Sequence, residues 1–568
     1  MADYFDLGRY SRPVSTRSTQ AQTWFDRGLM WTYAFNHEEA VSCFRAALQA
    51  DRRLAICWWG IAYALGPNYN KAWDAFDPDE LGTTVQQVFA AVASATELAD
   101  GASPVERALI EALRLRYPAP QPGDDLGIWN VDYAEAMGEV YRRFGDDLDV
   151  AVLYADAMMN LTPWQLWDVS TGTPAPGSRA LEIRDVLERA LAQPGGEDHP
   201  GVLHLYIHLM EMSGSPEAAL PAANRLRGMV PDGGHLEHMP THIDVLVGDY
   251  QRVISSNTDA INADRRYVDH AGPMNFYTLY RCHDLHFRLY GAMFAAQRRI
   301  ALETVDLIEQ AVPEKLLRVT SPPMADWAEG FIAMRVHVLI RFGRWDEILA
   351  LPIPDDQQLY CTTTAMLHYA RGISFAVTGD HEHAAAERDR FRAAVDRVLD
   401  TRMLFNNTCR DILAIAGAML DGELAYRAGA VEEGFAALRR AIELDDSLPY
   451  DEPWGWMQPT RHAYGALLLE QGRVAEAEAV YRADLGLDPS VPRSQHHPGN
   501  VWALHGYHEC LTRLGKSDAA AIVGQQLNLA LAQADVPIAA SCFCRLDVEG
   551  DRVIGCPPGC SCAHCRTA

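Results

Sequence analysis

Three short strings concentrate imidazole and carboxylate groups at helical spacing: His204, His208 and Glu211 in HLYIHLME, His235, His238 and His242 in HLEHMPTH, and His283 and His286 in HDLHF. Side chains three or four residues apart stand on one face of a helix, so each string can grip an ion with more than one group. Neutral imidazole suits copper, iron, zinc and nickel. Seven histidines exceed the needs of one tetrahedral ion, which points to two or more ions, or to one ion with supporting and substrate-binding histidines. The ligand set is rich in histidine and poor in carboxylate, which favours copper, with iron second and zinc as a further candidate. His199, His270 and His337 have no phased neighbour and read as structural or surface residues.

The other concentration of ligand chemistry is at the end of the chain, where Cys542, Cys544, Cys556, Cys560, Cys562 and Cys565 form two CxC pairs and one CxxC. The spacing matches neither a zinc ribbon nor a ferredoxin. Closely spaced thiolates suit Cu(I) or zinc, and a redox-active or disulfide-bonded flap or an inert tail are the alternatives. The other six cysteines are scattered, as buried small apolar residues are.

The elements that must position these groups are helical. Apolar residues recur at three- and four-residue spacing through long stretches rich in Ala, Leu, Arg and Glu, and no stretch sustains strand-like alternation. Trp24, Gly28, Ala40, Phe44 and Ala47 occupy positions 4, 8, 20, 24 and 27 of a 34-residue unit, and Trp58 and Ala62 recur 34 residues after Trp24 and Gly28. Gly465, Ala477, Tyr481 and Pro489 fit positions 8, 20, 24 and 32, and Trp502 and Gly506 open a looser final unit. These residues resemble tetratricopeptide repeats, over most of residues 20 to 535. The resemblance implies an all-α solenoid of helical hairpins with insertions. Residues 1–19 then form a lead-in, 20–535 the solenoid with a histidine-rich groove at about 200–290, and 536–568 a cysteine-rich tail.

Ala219, Ala223, Leu226 and Pro231 set one repeat start at 200, and Gly248, Val253 and Ala260 set the next at 234. In tetratricopeptide repeats, positions 2, 5, 9 and 12 of the first helix face the concave groove. His204, His208, Glu211, His235, His238 and His242 all take such positions, and a less secure register adds His283, His286 and Tyr290. The strings FNHEEA (35–40), WWGIAYALGPNYN (58–70), MMNLTPWQLWD (158–168), HPGVLHLYIHLMEMS (199–213) and GHLEHMPTHI (234–243) together resemble a bacterial tetratricopeptide-repeat family. That likeness implies that His37, Glu38, Asn68, Asn70, Trp164 and Trp167 share the pocket. Inter-repeat packing and capping are the other roles open to them.

Bulk properties narrow the function. With 76 acidic against 49 basic residues and a net charge of -27, the chain would repel a phosphate backbone, which sets nucleic acid aside. No apolar run reaches the roughly 20 residues needed to span a bilayer, and the first residues lack a secretory pattern, so the expected address is the cytoplasm with no membrane partner. The reading that follows is a metal-dependent oxidoreductase, copper favoured, acting on a small molecule or modified peptide in the groove. Metal storage or delivery, a partner-binding scaffold and a zinc hydrolase are the alternatives. The hydrolase lacks an HExxH motif and has only Glu211 and Glu237 near enough to act as base.

Overall fold

A computed structural model describes residues 4–546. The fold is all-α, and the strands among the described residues are two antiparallel pairs of two residues each, Trp167–Asp168 with Thr173–Pro174 and Met403–Leu404 with Asn407–Thr408. No described helix is long and apolar enough to cross a membrane. Two compact units divide the chain. The first holds residues up to Ile243, Ser256–Asp284 and Val319–Pro323; the second holds Asp244–Ser255, Leu285–Arg318 and the chain from Met324 onward.

In the first unit, helix α1 (Thr19–Tyr33) is capped by Ser18, whose side chain accepts from the Ala21 N–H, and it pairs with α2 (His37–Ala50), capped in the same way by Asn36. The helices approach closely because Gly28 has no side chain: a Cβ there would lie 2.6 Å from the Phe44 ring. The opposite edge of that ring meets Gly60 on α3 (Ala55–Leu65), where a Cβ would lie 2.8 Å away. Gly60, two residues before the anticipated Ala62, therefore continues the repeat. The pattern recurs in the second unit, where Tyr481 is held between Gly465 and Gly506. These are the packing positions that the repeat template anticipates.

The turn between the two helices of a hairpin also repeats. A backbone N–H reaches back five residues to close the first helix, from Asn36 to Trp31 in the first unit. In the second unit the same bond runs from Gln297 to Ala292, Arg344 to Leu339, Asp380 to Phe375, Ala430 to Ala425, Arg473 to Leu468 and Lys516 to Leu511. This is the Schellman closure, and it places the preceding residue in the left-handed region, where glycine is favoured. Gly343, Gly379, Gly429, Gly472 and Gly515 fill that place, but Phe35 (φ 53°) and Ala296 (φ 52°) do so in two hairpins.

Candidate metal centre

Helix α4 (Pro200–Glu211) starts where the register places it. Pro200 fits its first turn, and His199 caps it by accepting the Val202 N–H at Nδ1. The next repeat begins at Gly234 with α5 (Gly234–His238), which ends before Pro240, a residue with no N–H to continue the ladder. His242 follows on α6 (Pro240–Val247), and His283 stands on α8 (Thr278–Phe294), after α7 (Tyr250–Ala271). His204, His208, Glu211, His235, His238 and His242 are each no more than 1% exposed, and His283 is 8% exposed.

Their nitrogens converge. His238, His242 and His283 form one group able to hold an ion, with Nε2 of His242 lying 2.6 Å from Nε2 of His238 and 3.3 Å from Nε2 of His283. His204, His208 and His235 form a second, with Nε2 of His204 and His235 3.1 Å apart. Glu211 joins them: its Oε1 accepts from His208 Nδ1 at 2.9 Å and its Oε2 from His242 Nδ1 at 2.6 Å.

The hydrogen bonds decide which nitrogen carries the proton. A carboxylate accepts only, so His208 and His242 hold their protons on Nδ1. Nδ1 of His238 faces Oδ1 of Asn257 at 2.7 Å, and Asn257 is oriented by donating Nδ2–H to Thr241, whose hydroxyl donates to the His238 carbonyl. His238 is therefore also protonated on Nδ1. Nε2 of His238 and Nε2 of His242 then lie 2.6 Å apart, close enough to share one proton or to face one ion. Burial and the neighbouring imidazoles push His208, His235 and His238 well below the ordinary histidine value, which disfavours the proton. Burial holds His204 down to about 3. The His204–His235 contact needs no cation, because one N–H donor satisfies it.

The histidines were expected to line an open groove. They are instead interior, because aromatic side chains from elsewhere in the first unit cover them. The Phe35 ring stacks on His208 and His235 and tilts against His204, with centroids 5.8, 5.1 and 4.6 Å away. Tyr69 and Trp164 pack on His208, and Tyr280 on His235. Beneath the cluster, Asp264 and Asp284 face each other. Burial raises Asp264 to about 6, and burial together with Asp264 raises Asp284 well above the carboxylate range. Asp284 also forms a further candidate group with His235 and His238. Asn257, Phe35, Tyr69 and the two aspartates escaped the sequence reading. Only Asp284, adjacent to His283, carried a local signal.

The remaining candidates fall in several places. His286 belongs to the second unit, where its Nε2 lies 2.8 Å from Sδ of Met457. Tyr290, also in the second unit, stacks on Phe294 and tilts against Trp454. His37 hydrogen-bonds the Ala64 carbonyl and lines a small cavity with Phe35, Asn68 and His204. Asn68 accepts the N–H groups of Asn70 and Lys71, and the Asn70 side chain hydrogen-bonds Tyr280. Glu38 accepts the Phe276 N–H, and Trp167 donates Nε1–H to the Leu209 carbonyl, tying its loop to α4. Cys542 and Cys544 are joined in a disulfide in the second unit. Cys556, Cys560, Cys562 and Cys565 lie outside the described residues.

Paired helices, recurrent closures and glycine–aromatic packing define a helical-repeat protein of tetratricopeptide type. No family model matches the chain, and no curated protein matches it. Similar solved structures include yeast Tom70, at 10% identity over 90% of this chain and 99% of that one, with a TM-score of 0.30. The Cut9–Hcn1 hetero-tetramer of the APC/C is 12% identical over 91% and 88%, with a TM-score of 0.28. The human IFIT1 dimer with m7Gppp-AAAA is 12% identical over 81% and 95%, with a TM-score of 0.30. Nothing about ligands or partners follows from likenesses this distant.

Proposed function

We propose that the first unit is a histidine-ligated transition-metal centre built into a tetratricopeptide-type scaffold, with copper favoured and iron or zinc as the alternatives. The observation that carries this reading is the convergence of His238, His242 and His283 on one point, with Nε2 of His242 2.6 Å from that of His238 and 3.3 Å from that of His283. His283 supplies a third nitrogen, and Glu211 holds the His208 and His242 rings in place by accepting at their Nδ1 atoms and adds negative charge. An oxidoreductase reaction is the finer form of the proposal, and it requires a coordination position left open for oxygen or substrate. Enclosure of the cluster supports a retained ion over one in transit to another protein.

Elemental analysis of protein purified without a histidine tag tests the centre. Replacing His208, His238 and His242 by alanine removes the bound metal while helical circular dichroism stays nearly intact. Unchanged metal content in that variant refutes the reading. Binding of azide or cyanide to the loaded protein, with a spectroscopic change for copper or iron, tests the open position.

A second reading, a partner-binding scaffold, is favoured by the hairpin array of the second unit, since stacked helical repeats bind peptides along their exposed first helices. The likeness to a bacterial tetratricopeptide-repeat family at the histidine strings is compatible with both readings.

A further inference from the structure

Three helices of the first unit bring two carboxylates and an imidazole together beneath the histidine cluster: Asp264 on α7, Asp284 on α8 and His235 on α5. Asp264 is 3% exposed, Asp284 0% and His235 1%. Asp264 is held in orientation. Its Oδ1 accepts the Tyr277 hydroxyl at 3.0 Å, and that hydroxyl in turn accepts the His235 backbone N–H at 3.3 Å. Gly234 makes the approach possible, because a Cβ there would collide with Oδ1 of Asp264. Asp264 and Asp284 then lie within hydrogen-bond reach of each other.

Hydrogen-bond accounting leaves this point short of donors. Oδ2 of Asp264 and both oxygens of Asp284 accept no hydrogen bond from an N–H or hydroxyl group. Nδ1 of His238 lies 3.4 Å from Oδ1 of Asp284, but its proton is directed to Asn257 at 2.7 Å. Arg281 acts on both carboxylates by charge alone, and its Nη1 donates to Thr278 instead. His235 adds a further lone pair. His204 hydrogen-bonds the Tyr33 carbonyl, so its Nε2 accepts the Nε2–H of His235 at 3.1 Å. The neutral His235 ring therefore carries a lone pair on Nδ1, and that atom has no hydrogen-bond partner. A nitrogen of His235 and an oxygen of Asp284 lie within 4.8 Å of each other. One proton shared by the two aspartates would satisfy a single pair of oxygens and leave the imidazole lone pair facing a net negative charge. A cation satisfies all three groups at once.

We propose that Asp264, Asp284 and His235 form a second cation site, which takes a divalent ion harder than copper, of the manganese(II) or iron(II) kind. Two carboxylates and one imidazole make an oxygen-dominated donor set that suits these ions, whereas the three imidazoles of His238, His242 and His283 suit copper. Tyr277 fixes Asp264, and Gly234 leaves the room for it. His235 stands between the two kinds of site, with Nε2 on His204 and Nδ1 given to the harder ion. The inference deepens the proposed metal centre and rests on it for the neighbouring ion, but Asp264 and Asp284 belong to neither histidine triad.

The test dialyses the full-length, copper-loaded protein against manganese(II), an oxygen-seeking ion that competes poorly for imidazole triads and thiolates. Electron paramagnetic resonance counts the bound manganese. A single manganese(II) per chain is expected, with copper retained and with nitrogen coupling from one imidazole that disappears in His235→Ala. Asp264→Asn and Asp284→Asn keep the size of the side chain. Each is expected to weaken manganese binding roughly tenfold or more and to leave copper content unchanged. The double variant His242→Ala, His283→Ala is expected to lose copper and keep manganese, which separates this site from the proposed centre. If the parent protein binds no copper, the same manganese titration of the copper-free chain decides. No bound manganese in the folded parent protein, an unchanged affinity in both aspartate variants, or a manganese spectrum without nitrogen coupling overturns the site. Copper lost in step with manganese in both aspartate variants also overturns it, by making the two sites one. Where circular dichroism shows an aspartate variant to be unfolded, the nitrogen coupling of the parent protein decides in its place.

Discussion

Glu211→Gln isolates the electrostatic logic of the cluster, because it alters one atom of a fully buried side chain. Glu211 accepts two N–H groups, from His208 Nδ1 and His242 Nδ1. Glutamine keeps one carbonyl oxygen and presents an NH2 donor in place of the other. One of the two imidazoles must then accept at Nδ1 and move its proton to Nε2, which deletes a lone pair aimed at the cluster. Loss of such a supporting contact costs roughly 10- to 100-fold in metal affinity, or about 1.4 to 2.7 kcal/mol. The apoprotein loses one charge-assisted hydrogen bond, about 1.5–3 kcal/mol, partly offset by removal of a buried charge. Competition against a chromophoric chelator reads the affinity, and urea titration of the metal-free protein reads the stability. An affinity within threefold of the parent protein, in a variant of nearly unchanged stability, refutes both the tautomer assignment and the role of Glu211.

Substituting the two non-glycine closures should produce opposite signs. Ala296→Gly relieves a left-handed alanine and should raise stability by about 1 kcal/mol, whereas Phe35→Gly gains the same relief but loses a buried ring worth roughly 3–5 kcal/mol. Thermal unfolding of both variants checks this, and a stabilised Phe35→Gly would show that the ring is not covering anything. Acid should unfold the protein steeply. Burial holds His204, His286 and His337 at about 3 and His37, His462 and His505 at about 4. Their unfolded value is about 6.5. The unfolded chain therefore binds more protons below pH 6.5, and each group removes about 1.4 kcal/mol of stability per pH unit until its folded value is reached. Circular dichroism followed downward from pH 7 should show cooperative loss between about pH 6 and 5, and full helicity at pH 4.5 would contradict the directions assigned.

The fold was legible wherever glycine met an aromatic ring at fixed spacing. Gly28 and Phe44, and Gly465 with Tyr481, can be found in the sequence because close helix packing requires one small and one large partner at set positions. The phase of the histidines was legible for the same reason, since the starts at Pro200 and Gly234 follow from packing residues alone. Burial was not legible. The cover over His208 comes from Phe35, Tyr69 and Trp164, which are distant in sequence and sit in a turn and in insertions that no repeat template describes. The placement of His286 against Met457 escaped for a related reason: a register assigns a face of a helix, not the loop that meets it. The tail segment had no periodicity to follow, because its main chain is held by Arg341, Arg427 and Glu470 rather than by its own ladder.

Enclosure of the cluster also has a consequence in time. With His238 and His242 no more than 1% exposed and His283 8%, an ion seated among them would have little standing path to water. Under the proposed function, it would enter either while α4, α5, α6 and α8 are still assembling or through a local opening that lifts Phe35 away. The residence time of such an ion would then be set by the frequency of that opening rather than by the strength of its bonds to nitrogen. Isotope exchange into loaded protein would follow the hydrogen-exchange rate of the α1–α2 turn and would be insensitive to the concentration of free ion.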